Sequence, residues 1–362
     1  MDAIDPIEQR EFDIAHFFFY AGVTRQTCDD WLRGFKGGTF TPIPEQGNSS
    51  YSVYAGQDQE YIVQFRLKSI PLDVDAINLA QKVYGSKVPT VVLEAQLGDD
   101  DGGEKPPVLV YSIDRVHGTP YSSFLWYRGE AMIRSREMNA HCRRNLTRDF
   151  ARFFAMSWNS PRQLSLVKRA MSRNLQTSIL EGLFYLPEEF HPIINACINQ
   201  IDVVMRLPMV VYHTDLSKES FAVDNECQLV GIMSWSKLAI GPFGLNLYIL
   251  EQIYGDFSLK YGRANFYDHE DLQCLFWYTF ERSVGGLTDD EFRSIKMAMI
   301  MGFLQRWGLA WKIATYPGPE PASTVDEMSQ FSMSILRSYL IDEKTRFEGI
   351  KELLEGDMVP TG

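Results

Sequence analysis

Apolar residues along the chain fall into two kinds of spacing, and the two kinds are segregated. Residues 5–34 carry a helical pattern with Phe12, Ile14, Ala15, Phe18 and Phe19 at its apolar positions. Strand-like alternation follows over 51–54 and 61–67, joined by a turn at 56–59. A helix is predicted over 76–84 and two further strands over 88–94 and 108–114. Between those strands lies GDDDGGEKP (98–106), whose acidic, glycine-rich composition predicts a hairpin loop. Beyond residue 120 the helical period dominates, over 134–158, 175–183, 192–206, 268–282 and 289–307. The last of these opens with the cap signature Thr288-Asp289-Asp290-Glu291. Short strands at 210–212, 221–223 and 229–233 interrupt the helices. A proline-rich linker over 316–324 leads to a last helix over 325–354, and no internal repeat is found. Strands first and helices after them predict an α+β fold rather than a doubly wound sheet. The expected organisation is two-lobed: a small β-rich N-lobe (1–116), a larger α-helical C-lobe (117–315), then a linker and C-terminal helix (316–362). A cleft between two such lobes is a usual place for a ligand.

Composition narrows the function. The chain has 362 residues, of which 45% are hydrophobic and 13% aromatic. Such an aromatic share means a thick core or an apolar ligand pocket. The net charge is −12, which repels nucleic acid and anionic membrane surfaces. Five widely spaced cysteines (Cys28, Cys142, Cys197, Cys227, Cys274) form no C-x-x-C pair, so buried thiols are expected rather than a disulfide framework or a zinc site. The acidic N-terminus does not read as a signal peptide, and no run of about eighteen apolar residues occurs. A cytoplasmic protein acting on a small-molecule metabolite, with neither nucleic acid nor membrane as partner, is the expectation. Oligomeric state is left open.

The most informative stretch is VVYHTDLSKESFAVDNECQLVGIMSWSKLAIGPFG, residues 210–244. A strand ends at His213-Thr214-Asp215, a short loop and hairpin follow, and a second strand ends at Ser234-Trp235. This resembles the H-x-D-x-x-x-x-N … I-D-W pattern of the aminoglycoside phosphotransferase and choline kinase family, with closest likeness to its fungal branch. The resemblance covers roughly residues 30–312 and implies a protein-kinase-like fold and phosphoryl transfer from ATP with Mg²⁺. In that pattern the first Asp orients the attacking hydroxyl, and an Asn and a second Asp hold the metal. Asp215 and His213 match, and are the catalytic candidates, with His213 expected to brace the loop. The two metal positions are Ser220 and Ser234, and a serine hydroxyl is a poor substitute for a carboxylate ligand of Mg²⁺.

The N-terminal part departs from the family in the same respect. Gly37-Gly38-Thr39-Phe40 matches the family's glycine-rich turn, but residues 41–47 (TPIPEQG) separate it from the Tyr51-Ser52-Val53 strand. Two prolines there remove amides that would cradle phosphate. Gln64 stands at the phosphate-binding cation's place, with Arg66 two residues on and Asp75 at the place of the acidic partner. The stretches 108–118, 148–158, 241–248 and 298–311 resemble structural parts of the family. Substrate-binding candidates are Ser220, Ser234, Trp235, Gln64, Arg66, Phe40 and Tyr111; no metal ligand is expected.

Three readings follow. One is a kinase-fold enzyme of fungal secondary metabolism that needs neither ATP nor metal. It would bind a largely apolar metabolite in the inter-lobe cleft and catalyse a cyclisation or isomerisation, a pericyclic Diels–Alder-type step included. The second is an ATP- and Mg²⁺-dependent phosphotransferase in which Asp215, Glu219, Asp224 and Arg66 compensate. The third is a non-catalytic scaffold.

Overall fold

A computed structural model of the chain describes residues 5–44, 46–47, 49–99, 105–124, 136–162, 181–315 and 322–355. The chain divides into two units. The smaller is Met1–His117 with Gly231–Ser236, and the larger is Gly118–Val230 with Lys237–Gly362.

In the smaller unit, helix α1 (Pro6–Tyr20) opens on Asp5, whose carboxylate accepts the Ile7 amide at 2.9 Å. The single helical stretch predicted over 5–34 is two helices. The backbone turns extended at Ala21, and Thr24 caps α2 (Arg25–Arg33) by accepting the Thr27 amide. Gly22 lies in this break. Its amide donates to the Pro106 carbonyl at 2.8 Å, and a Cβ there would meet the Pro106 and Lys105 carbonyl oxygens at 2.8 and 2.9 Å. Ile14, Phe17 and Ala21 form the buried face of α1, whereas Phe12 and Phe19 point outward, 66% and 68% exposed.

Strands β1 (Phe40–Pro42), β2 (Ser50–Ala55) and β3 (Tyr61–Leu67) precede α3 (Val74–Tyr84), and β4 (Val91–Leu97) and β5 (Val108–Asp114) follow it. They form one antiparallel sheet in the order β1-β2-β3-β5-β4. Side-chain alternation places Tyr51, Val53, Ala55, Val63, Phe65, Val108 and Val110 in one core with Cys28, Leu32 and Phe35 of α2 and its end. The segment after the glycine-rich turn folds back as the edge strand β1, where Pro42 is tolerated. Gln46 then ties the turn to β2: its amide oxygen accepts the Ser52 amide at 2.8 Å, and its nitrogen donates to the Ser52 carbonyl at 2.9 Å.

The larger unit begins with β6 (Thr119–Pro120) and α4 (Arg136–Trp158). The helix expected over 175–183 falls mainly on undescribed residues, and 181–183 form a 3-10 turn. The pattern over 192–206 resolves into α5 (His191–Asn199) and α6 (Ile201–Val204). Then come β7 (Met209–His213), β8 (Phe221–Val223), β9 (Leu229–Ile232) and β10 (Leu238–Pro242). Helix α7 (Ile249–Ile253) and the hairpin β11 (Gly255–Ser258)–β12 (Gly262–Asn265) lead to α8 (His269–Val284). The last helices are α9 (Asp289–Thr315), α10 (Ala322–Leu340) and α11 (Ile350–Glu355); the helix expected over 325–354 breaks at 341–349. The predicted cap is a reciprocal one: Thr288 Oγ1 accepts the Glu291 amide, and the Glu291 carboxylate accepts the Thr288 amide.

Aromatic packing fills this unit. Phe150 of α4 lies 5.0 Å from Phe221, and Phe154 lies 6.3 Å from Phe276 of α8. Trp158 meets Phe243 and Phe280 edge-on. All five cysteines are thiols, and burial pushes those of Cys28 and Cys197 up to about 12. Among the described residues no helix is long and apolar enough to cross a membrane.

Candidate functional site

Strand β7 is buried along its whole length and ends at His213. It pairs with β10, so that His213 faces Leu238 and the Thr214 amide donates to the Lys237 carbonyl at 2.9 Å. This register sets Lys237 opposite Thr214, one residue before Asp215. His213 is only 2% exposed; its Nδ1 accepts the Asp215 amide at 3.2 Å. The imidazole therefore shapes the loop from beneath rather than facing solvent.

Asp215 is paired with two cations. Its Oδ2 accepts a hydrogen bond from the Lys237 ammonium at 2.8 Å, and its Oδ1 contacts the guanidinium of Arg306 on α9. The carboxylate is 26% exposed, Arg306 28% and Lys237 65%. Close packing brings Arg306 there. Gly302 lies one helical turn earlier on α9, and a Cβ on it would fall 1.7 Å from the Leu245 carbonyl oxygen. Only a glycine lets the 244–247 segment touch the helix backbone at that point. Beneath the pair, the Tyr248 hydroxyl is buried and interacts with Arg306 and Asp215. Burial holds its pKa above the ordinary value, against the opposing effect of Arg306.

Each of the other sequence candidates is engaged within its own unit. Ser220 is 6% exposed; its hydroxyl accepts the Ser217 amide at 2.7 Å and donates to the Ser217 carbonyl at 2.8 Å. The hydroxyl thus closes the 217–220 turn. In the smaller unit, Trp235 is 3% exposed, donates to the Ile232 carbonyl at 2.9 Å, and packs 5.4 Å from Tyr84. It is a core residue. Ser234, just before it, is exposed and has a left-handed backbone, φ 60°.

Gln64, Arg66 and Tyr111 share the sheet face opposite the α1–α2 core, as the pairings Ser50↔Arg66, Ser52↔Gln64 and Gln64↔Tyr111 require. The Gln64 amide donates to Ser50 and Ser52 hydroxyls at 3.2 and 3.1 Å and accepts from Arg66 at 3.2 Å. Arg66 also donates to the Ile70 carbonyl, and burial pushes its pKa below the ordinary guanidinium value. No contact between Arg66 and Asp75 occurs among the described residues. Tyr111 is 1% exposed and its hydroxyl accepts the Leu72 amide. Phe40 packs against the α1–α2 core.

These observations test whether the residues fit Mg²⁺ and ATP. A hard cation needs oxygen ligands with charge to spare. Ser220 has its hydroxyl hydrogen in a turn, Ser234 is neutral, and Asp215 already meets two cations. Among the described residues no three His, Cys, Asp or Glu side chains group so as to hold a metal. Ser220 and Ser234 thus offer neutral oxygens where a hard cation favours carboxylates.

Sequence reasoning did not single out Lys237 or Arg306. The register of β7 on β10 brings Lys237 opposite Thr214 and only its long side chain reaches on to Asp215, so motif spacing carries no direct signal for it. Arg306 carries none: it sits 91 positions from Asp215 in a helix with many charged neighbours.

The sequence matches no protein-family model and no curated protein. Solved structures do match. A candidate aminoglycoside phosphotransferase from Ralstonia eutropha JMP134 superposes with a TM-score of 0.54 at 12% identity, covering 86% of this chain and 96% of that one. The GDP complex of a variant of aminoglycoside 2'-phosphotransferase IIIa gives 0.51 at 14% identity, covering 87% and 96%. Plasmodium vivax ethanolamine kinase gives 0.50 at 9% identity, covering 93% and 97%. At such identities the likeness concerns the fold. The chain has the α+β, protein-kinase-like fold of the aminoglycoside phosphotransferases and ethanolamine kinase.

Proposed function

We propose that this chain is a kinase-fold enzyme that acts on a small, largely apolar metabolite at the Asp215 loop without phosphoryl transfer. The observation that carries this reading is the double engagement of Asp215 by Lys237 and Arg306. A carboxylate paired with two cations is held back from taking a proton from an attacking hydroxyl. The same trio of charges is suited to polarising a substrate carbonyl or holding it in one reactive geometry. Cyclisation or isomerisation, independent of ATP and metal, is the reaction class, and a setting in secondary metabolism accords with an apolar substrate.

Incubation of the full chain with linear polyene and polyketide-like precursors, with and without Mg–ATP, tests the reading. Turnover unaffected by Mg–ATP is expected. Turnover that requires ATP, or a phosphorylated product, would overturn it and favour the phosphotransferase reading, for which the intact His213–Asp215 strand end speaks. Asp215→Asn is expected to lower turnover by about a hundredfold with the fold intact. An Asp215→Ala protein with undiminished function would instead mark the chain as a scaffold.

A further inference from the structure

Around Asp215, side-chain contacts joined by two short steps along the backbone run as a circuit within the larger unit. From Asp215 the circuit passes to Arg306, whose guanidinium lies 5.0 Å from the Trp307 ring centroid. Trp307 stands 5.9 Å from Phe331 of α10, and Phe331 stands 5.5 Å from Phe257 of β11. Next to Phe257, Asp256 pairs with Lys218 at 3.8 Å, and Lys218 is three residues from Asp215. The circuit thus has a charged end at Asp215, Lys237 and Arg306 and an aromatic side formed by Trp307, Phe331 and Phe257. Phe331 is 38% exposed despite being a large ring.

Two features at the charged end have no role in holding the fold. A guanidinium has five N–H donors, more than the Asp215 carboxylate and the Tyr248 hydroxyl beside Arg306 can occupy. The Trp307 indole nitrogen, beside Arg306, is buried without a hydrogen-bond partner. Buried polar groups of this kind are uncommon where no ligand or water completes them. The trio Asp215, Lys237 and Arg306 also carries one surplus positive charge in a chain whose net charge is −12.

We propose that this circuit binds a carboxylate on an apolar body, with the carboxylate against Arg306 and Lys237 and the body along Trp307, Phe331 and Phe257. The surplus of one charge matches a monoanion, whereas a phosphate group carrying nearly two would leave the site negative. The planar fork of Arg306 suits a carboxylate. This assignment rests on the reading above that the Asp215 loop acts on an apolar metabolite, and it names that metabolite's polar group.

Isothermal titration calorimetry on the full chain, without nucleotide, tests it. The probes are decanoate, methyl decanoate and inorganic phosphate. Decanoate is expected to bind at least about tenfold more tightly than its ester, and Arg306→Gln to lose that preference. Arg306→Lys retains a charge for Asp215, so a folded protein is available should the glutamine variant melt early; it is expected to bind decanoate with intermediate affinity. Phe331→Ala is expected to weaken acid and ester alike. Equal binding of acid and ester, an Arg306→Gln protein that keeps the preference, or no decanoate binding would each overturn the proposal. So would phosphate binding that depends on Arg306 where decanoate does not bind. ATP-dependent turnover would sink the functional reading and leave these affinities as they are, so the two failures are distinguishable.

Discussion

Ser234 is a non-glycine residue held at φ 60°. The left-handed region costs an L-residue roughly 1–2 kcal/mol, and Asp, Asn and Gly visit it more readily than Ser. Ser234→Gly is therefore expected to stabilise the chain by about 0.5–1 kcal/mol, measured as a higher urea midpoint at unchanged slope. A lower midpoint would show that the serine side chain contributes more than its backbone strain removes. At Ser220 the hydroxyl belongs to the turn it closes, so Ser220→Ala is the opposite case: a lost turn bond and no relief. The two serines look equivalent in the sequence, as neutral residues at metal positions, and the backbone separates them. Sequence reasoning identified what each lacks, a ligand's charge, but side-chain hydrogen bonding within a four-residue turn is invisible to motif spacing.

At the scale of elements, two joints hold the larger unit's site in place. The first is the contact between α9 and the 244–247 segment. Gly302→Ala would drive a methyl group against the Leu245 carbonyl, so a loss of about 3 kcal/mol is expected by chemical denaturation. Because Arg306 lies one turn further along α9, the same variant should also lose the carboxylate preference described above. The second joint ties α7, β12 and α8. Glu251 is 4% exposed, contacts Arg263, and accepts from Gln273 at 3.0 Å, with His269 at 3.2 Å. Burial raises its pKa, but the bonds and charges of His269 and Arg263 outweigh it and hold the carboxyl near 2, below its ordinary 4.5. A depressed folded pKa contributes stability that is full above 4.5 and is lost as pH falls toward 2. Urea midpoints across that window should fall for the native chain, with an amplitude on the order of 3 kcal/mol. Glu251→Gln should be less stable near neutrality and show a flatter acid limb; an unchanged limb would place the acid sensitivity elsewhere. Long periodic elements were legible here, as the Thr288–Glu291 cap shows. The β11–β12 hairpin was not, because Gly255–Ser258 and Gly262–Asn265 offer four residues each with little apolar alternation.

At the scale of the molecule, charge is unevenly arranged: the chain is strongly acidic, while the Asp215 trio is locally cationic. Distant charges act on an approaching anion when the Debye length is about 30 Å, at 0.01 M salt, and fade when it is about 8 Å, at 0.15 M. Decanoate association measured by stopped flow should therefore speed up between those salt concentrations, where simple attraction would make it slow down. A steady fall with salt would show that the trio alone governs encounter. The α+β order and the kinase-like fold were readable because strand and helix periods are segregated along the chain. Arg306 was not, since its meeting with Asp215 depends on tertiary packing at Gly302. The backbone at Ser234 leads to one more consequence, for anyone wishing to build a metal centre into this scaffold. A carboxylate placed at 234 would enter a conformation that already suits it and need no rearrangement of the main chain. At 220 the incoming ligand would have to unmake a closed turn first.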